Sequence, residues 1–180
     1  MRRLSMLLVP ALVSMALAAG PVLTSAYAAG SDEPSPPKSD SSSKKSKKKS
    51  SSVSDPKFLA AYRTAYSTIY DRHDYASAID QLKSLKRNDV ADVANLIGYS
   101  YRKLGDYQSS KTYYELALKD DPNHVRTWQY YGLWQLEQNK PEQAQVHLDR
   151  IAAICGTSCQ EYRLLSEAMG IVAAGGRPLY

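Results

Sequence analysis

Apolar residues recur along this chain at helical spacing, in three successive blocks offset by 32 and 34 residues. In the middle block, Ala94, Ile97, Gly98 and Tyr101 fall at i, i+3, i+4 and i+7, the stripe by which an amphipathic helix meets a neighbour. Gly105-Asp106 predicts a stop and a restart, because glycine suits a helix end and aspartate caps the next beginning. Tyr107, Ser110, Tyr114 and Ala117 then form a second stripe that has to fold back on the first. Gly98 and Ala117 are small where two antiparallel helices must approach closely, and Tyr101 and Tyr114 fill the space beside them. Pro122 ends the unit, since proline cannot continue a helix and biases its predecessor away from helical geometry.

The flanking blocks repeat the pattern with departures. Asp74-Tyr75 aligns with Asp106-Tyr107, placing Tyr62, Ala65, Tyr66 and Ile69 on a first helix and Ala78, Leu82 and Leu85 on a second. This block has Asn88-Asp89-Val90 where a closing proline would stand, and Tyr66 where a small residue is expected. In the third block, Trp128, Tyr131, Gly132 and Gln135 mark a first helix, and Ala144, Leu148 and Ile151 a second. The turn is Asn139-Lys140-Pro141, proline being tolerated at a helix start. Gln135 is polar where a large apolar residue is expected, and Leu136 beside it takes over that packing. Ser158 with Glu161 predicts a capping box ahead of Tyr162, Leu165 and Met169, a helix over about 158–170 that Gly170 ends or bends and that covers the last exposed face.

The unit Ala91–His124 resembles one tetratricopeptide repeat (TPR), and the likeness extends over about 57–90, 91–124 and 125–156, about 100 of the 180 residues. It implies an all-α, right-handed solenoid of paired antiparallel helices over residues 56–180, closed by a C-terminal capping helix. In that family the first helices line a concave groove for a peptide or partner helix. The groove positions carried onto this chain are Arg63, Tyr70, Asn95, Tyr99, Arg102, Lys103, Arg126, Gln129, Leu133 and Leu136. The resemblance to the chaperone-tail binders of the family is incomplete, with Arg63 and Arg126 at basic clamp positions but Ser67, Leu96 and Tyr130 at the other three. Tyr99, Arg102 and Arg126 are expected to face the groove as surface residues, so truncating Tyr99 or Arg102 would cost little stability while weakening a partner.

Ahead of these blocks, Arg2-Arg3, the apolar run Met6–Ala19 and Ala26-Tyr27-Ala28 read as a secretory signal peptide over residues 1–28, cut after Ala28. Gly20-Pro21 ends the run short of the roughly 20 apolar residues a membrane span needs. Membrane contact is then expected only if this segment is retained or through the basic linker. Residues 29–55 are rich in serine, lysine and proline and read as a disordered linker, a coil reaching roughly 25–30 Å root-mean-square. Lys44, Lys45, Lys47, Lys48 and Lys49 make a basic run that serves as a solvated spacer or, in an envelope tether, holds an acidic polymer. These features place the mature chain in a periplasm or outside the cell.

The formal net charge of +5 overstates the basicity of the helical part, where fifteen basic residues face fourteen acidic ones from Pro56 onward. A nucleic-acid binder needs a concentrated basic surface, so nucleic acid is not the expected partner. His73, His124 and His147 lie on different turns and helices, without a metalloprotease or phosphate-loop motif, and read as solvated or helix-end residues. Catalysis, a cofactor and a resident metal are not expected. Cys155 and Cys159 are the one constellation with chemistry of its own: in an exported chain such a pair closes a disulfide. The alternatives at this spacing are a redox-active pair or, with Met169 or His147, a soft-metal site for copper. The combined expectation is an exported TPR adaptor for a protein or peptide partner; a periplasmic thiol or metal-handling factor and an envelope tether are the alternatives.

Overall fold

The computed structural model describes residues 55–177, so the expected signal peptide and the expected linker up to residue 54 lie outside the described residues. Seven helices follow one another: α1 Pro56–Tyr70, α2 Tyr75–Ser84, α3 Ala91–Lys103, α4 Tyr107–Asp120, α5 Val125–Glu137, α6 Pro141–Cys155 and α7 Gln160–Ala173. Consecutive helices pack as the pairs α1/α2, α3/α4 and α5/α6, α3 also touches α1 and α5, and α7 lies on α5 and α6. The described residues hold no strand, and none of their helices is long and apolar enough to cross a membrane.

Local chemistry fixes where the helices begin. Asp55, Asp74 and Asp106 each cap the helix that follows, accepting from the backbone N–H of Lys57, Ser77 and Ser109. His124 does the same for α5 through Thr127 N–H, and Pro141 opens α6. The turn inside each pair repeats one backbone solution, a residue at positive φ two places before the second helix's first residue: His73 at 53°, Gly105 at 80° and Asn139 at 56°. Glycine and asparagine take that conformation readily, and His73 is the departure.

Packing inside the pairs follows the predicted stripes. Ala94, Ile97, Gly98, Ser110, Tyr114 and Ala117 are all buried. A methyl group added at Gly98 would stand 2.8 Å from the Tyr114 ring and 3.2 Å from the Ser110 carbonyl oxygen, so glycine is what permits the close approach of α3 and α4. Gly132 serves a different purpose. Its missing side chain is replaced by Leu165 of α7, whose Cδ2 would lie 2.5 Å from an added Cβ, so the last helix is keyed into α5. Tyr101, expected in the core, is half-buried and stacks on Tyr113 at 5.7 Å, with the Lys83 ammonium 5.0 Å from its ring centre.

Two expectations for the tail change. The capping box does not form: Cys159 is the N-cap of α7, and no side chain accepts from its first turn. The ring of backbone around Cys155–Cys159 sets the helix start instead, and Arg163 Nη1 donates to the Ser158 carbonyl at 3.0 Å. Nor does Gly170 end the helix, which runs to Ala173 and stops before Gly175 at φ 80°. Glycine costs a helix interior only about 1 kcal/mol, less than the packing of Leu165 and Ala168 supplies.

Candidate functional site

The first helices of the three pairs, α1, α3 and α5, adjoin one another, and tyrosines join them. Tyr70 of α1 stacks on Tyr99 of α3 at 5.7 Å, and Tyr99 meets Tyr130 of α5 at 5.0 Å. Tyr66 lies 4.5 Å from Tyr70, Tyr75 presents its edge to Tyr99, and the hydroxyls of Tyr70 and Tyr130 are 3.1 Å apart. Burial, with Tyr130 close by, holds the Tyr70 phenol well above its ordinary pKa, so Tyr70 keeps a neutral hydroxyl. The Lys103 ammonium stands about 6 Å from two of these rings, 5.9 Å for Tyr99 and 6.0 Å for Tyr75, the reach of a cation–π contact.

A polar seam runs beside the rings. Asp92 of α3 accepts from His124 Nε2 at 3.2 Å, while His124 Nδ1 accepts from Thr127 N–H and lies 2.7 Å from the Thr127 hydroxyl. Thr127 donates in turn to Asn95 Oδ1 at 3.1 Å. Burial works to raise the Asp92 pKa, but the His124 bond and the charges of His124 and Arg126 outweigh it and leave the carboxyl below its usual range. The order Asp, His, Thr imitates a hydrolytic triad. Its third member is fully buried and its histidine is spent on capping α5, so it joins α3 to α5 and offers no nucleophile.

At the far end of α3, Arg102 pairs with Glu137 of α5, Nε to Oε2 at 3.0 Å, and lies beside the Tyr114 hydroxyl. Burial disfavours the guanidinium charge, yet Tyr114 and Glu137 more than compensate and keep it protonated. Of the residues carried into the groove, Arg63 is exposed, and Tyr70, Lys103 and Arg126 are half-buried. Asn95, Tyr99, Arg102, Gln129, Leu133 and Leu136 are buried, Tyr99 and Arg102 at only 6% and 3% exposure. The expectation that Tyr99 and Arg102 are dispensable surface residues is therefore corrected. A helix in the middle of a stack buries more than the one face that a single apolar stripe reports, and α3 packs against α1, α2, α4 and α5.

The family profile of the tetratricopeptide repeat matches residues 91–124, the α3/α4 hairpin with its approach to α5. Residues 91–124 are a tetratricopeptide repeat. Comparison with curated proteins gave no match.

Around the matched repeat, α1/α2 and α5/α6 form two further helical hairpins, and the third one holds a feature of its own. His147 of α6 is buried, 5.2 Å from Trp128 and 4.7 Å from Tyr131, ring centre to ring centre. Burial lowers its pKa to about 4, opposed only by a bond to the Trp128 backbone, and its Nδ1 has no hydrogen-bond partner among the described residues. Reading it as solvated was wrong. The signal was present in the sequence, since His147 directly precedes Leu148 and follows Ala144 by three, on the edge of the α6 stripe. A cleft of about 470 Å³ opens beside this hairpin, where Tyr107, Leu136, Glu137 and Asn139 face Val172 and Arg177.

Beyond it, the sulfurs of Cys155 and Cys159 stand at disulfide distance, with Cα atoms 6.0 Å apart, across the corner between α6 and α7. His147 does not group with them among the described residues; the nearby metal-ligating side chain is Glu161.

Proposed function

We propose that this protein is an exported adaptor that binds a segment of another protein along the face shared by α1, α3 and α5, and that it catalyses nothing. Tetratricopeptide repeats mediate protein–protein interaction, and a matched repeat flanked by two like hairpins is the observation that carries the proposal. The accessible groups on this face are Arg63, Tyr70, Lys103 and Arg126, three cations beside a row of aromatic rings. Tyrosine and arginine dominate binding hot spots, and a guanidinium donates two parallel hydrogen bonds to a carboxylate, so the partner segment carries acidic side chains or a free C-terminus. Tyr99 and Tyr130 act as a rigid floor under these groups. Export rests on Met6–Ala19 and Ala26-Tyr27-Ala28, and the compartment is the periplasm or the exterior.

The test is capture of partners from envelope extracts on the mature chain, with Arg63→Ala and Arg126→Ala compared in parallel. Each substitution is expected to weaken a captured partner by about 1–3 kcal/mol, with the fold intact by circular dichroism. If both bind like the parent and replacing Lys44–Lys49 by serine abolishes capture, the linker is the binding element and the groove is not. Intact-mass measurement of the exported species tests the leader, expected to be cut so that Ala29 is the first residue.

A further inference from the structure

The corner between α6 and α7 gathers three groups that nothing in the adaptor reading uses. Cys155 is the last residue of α6, Cys159 the N-cap of α7, and Glu161 lies in the first turn of α7. Their two sulfurs and a carboxylate oxygen all lie within 4.8 Å of one another. Cys155 is exposed and the other two are half-buried, which leaves an open approach from solvent. The Glu161 carboxylate has no hydrogen bond or ion pair with any described residue, although it sits beside the cysteines rather than out along the helix.

We propose that, when the Cys155–Cys159 pair is reduced, these two cysteines and Glu161 bind one thiophilic divalent cation, of which zinc is the best fit. The chemistry balances with a dithiol as reductant. The dithiol gives two electrons and two protons to the protein disulfide and becomes a disulfide itself, leaving two protein thiols. Binding of the cation then releases those two protons, so both sulfurs ligate as thiolates.

Two thiolates and one carboxylate suit zinc, with Zn–S near 2.3 Å and Zn–O near 2.0–2.2 Å, and leave a fourth position to water. In such a tetrahedron the sulfurs stand about 3.8 Å apart, a separation compatible with Cα atoms 6.0 Å apart. Harder cations such as magnesium and calcium prefer all-oxygen sites and are discriminated against. Cys159 is the N-cap of α7 and Glu161 lies in its first turn, at the helix end that attracts anionic ligands, and Arg163 brings a guanidinium to the loop through the Ser158 carbonyl. Gly156, at φ 80°, turns the chain so that the end of α6 meets the beginning of α7. The corner is thus a two-state element, locked covalently when oxidised and able to take a metal when reduced.

The experiment uses the full chain, reduced with a phosphine under argon, desalted, and incubated with zinc ion alone. Expected is one zinc per chain surviving a second desalting, with accessible thiols falling from two to none. The same chain left oxidised retains no zinc, and Glu161→Gln, checked for unchanged circular dichroism, loses affinity by roughly tenfold or more. Magnesium at the same concentration is not retained. Absence of retained zinc on the reduced chain overturns the proposal, as does equal retention by the oxidised chain, which puts the ion elsewhere. Equal affinity of Glu161→Gln removes the carboxylate from the ligand set and overturns the site as stated.

Discussion

Arg102 of α3 and Glu137 of α5 form an ion pair across two repeats, Nε to Oε2 at 3.0 Å, in which the arginine side chain is 1% exposed and the glutamate 26%. The asymmetry decides what each substitution costs. A carboxylate left behind at that exposure regains water, whereas a guanidinium at 1% exposure does not.

Glu137→Ala is therefore expected to destabilise the fold more than Arg102→Met, by about 3 kcal/mol against about 1–2 kcal/mol, in urea titrations followed by circular dichroism. Equal losses, or no loss in either, would show that the pair does not join the repeats. Tyr114 reports on the same spot: burial pushes its hydroxyl up to about 12, with Arg102 opposing, so it remains a neutral hydroxyl at neutral pH.

His147 gives the fold a pH dependence of known sign. Its folded pKa of about 4 lies below the unfolded value near 6.5, so the unfolded chain binds the extra proton first. The stability this neutral ring contributes is fully present above about pH 6.5 and is lost as pH falls toward 4, by roughly 3 kcal/mol in all. His147→Phe keeps the ring between Trp128 and Tyr131 and is expected to flatten that part of the curve. Asp74 and Asp106 carry pKa values lowered by bonds from Ser77 and Ser109, so their loss of charge lies lower in pH. The difference between parent and variant is the quantity to read.

Gly98→Ala places a methyl against a fully buried tyrosine ring and a backbone carbonyl, neither of which can move aside. A loss of about 1–3 kcal/mol is expected. Gly132→Ala meets the branched end of Leu165, which has other rotamers, so its cost should be smaller and fall on the seating of α7. Hydrogen exchange of the α7 amides distinguishes the two: faster exchange confined to α7 for Gly132→Ala, a general loss of protection for Gly98→Ala.

Replacing both Cys155 and Cys159 by alanine opens a five-residue ring and is expected to cost on the order of 2 kcal/mol, while leaving partner capture unchanged. Loss of capture in a still-folded double variant would assign the corner a place in partner recognition.

The repeat with Gly98, Gly105-Asp106 and Pro122 was legible because each of those residues answers a local steric or capping demand that spacing alone reveals. The same holds for the aspartate caps at Asp74 and Asp106, whose function is settled within three residues of chain. The burial of Tyr99 and Arg102 was not legible. One apolar stripe records one neighbour, and these two side chains are enclosed by partners 29 to 35 residues away in sequence, Tyr70, Tyr130 and Glu137. The missing capping box has the same origin, since closure of Cys155 onto Cys159 sets the start of α7 before Ser158 can. So the sequence alone determined the number, order and pairing of the helices, which depend on periodicity and local caps. Tertiary structure alone decided which polar and aromatic groups lie between them, because burial depends on how many helices surround a residue and a one-dimensional pattern does not carry that count.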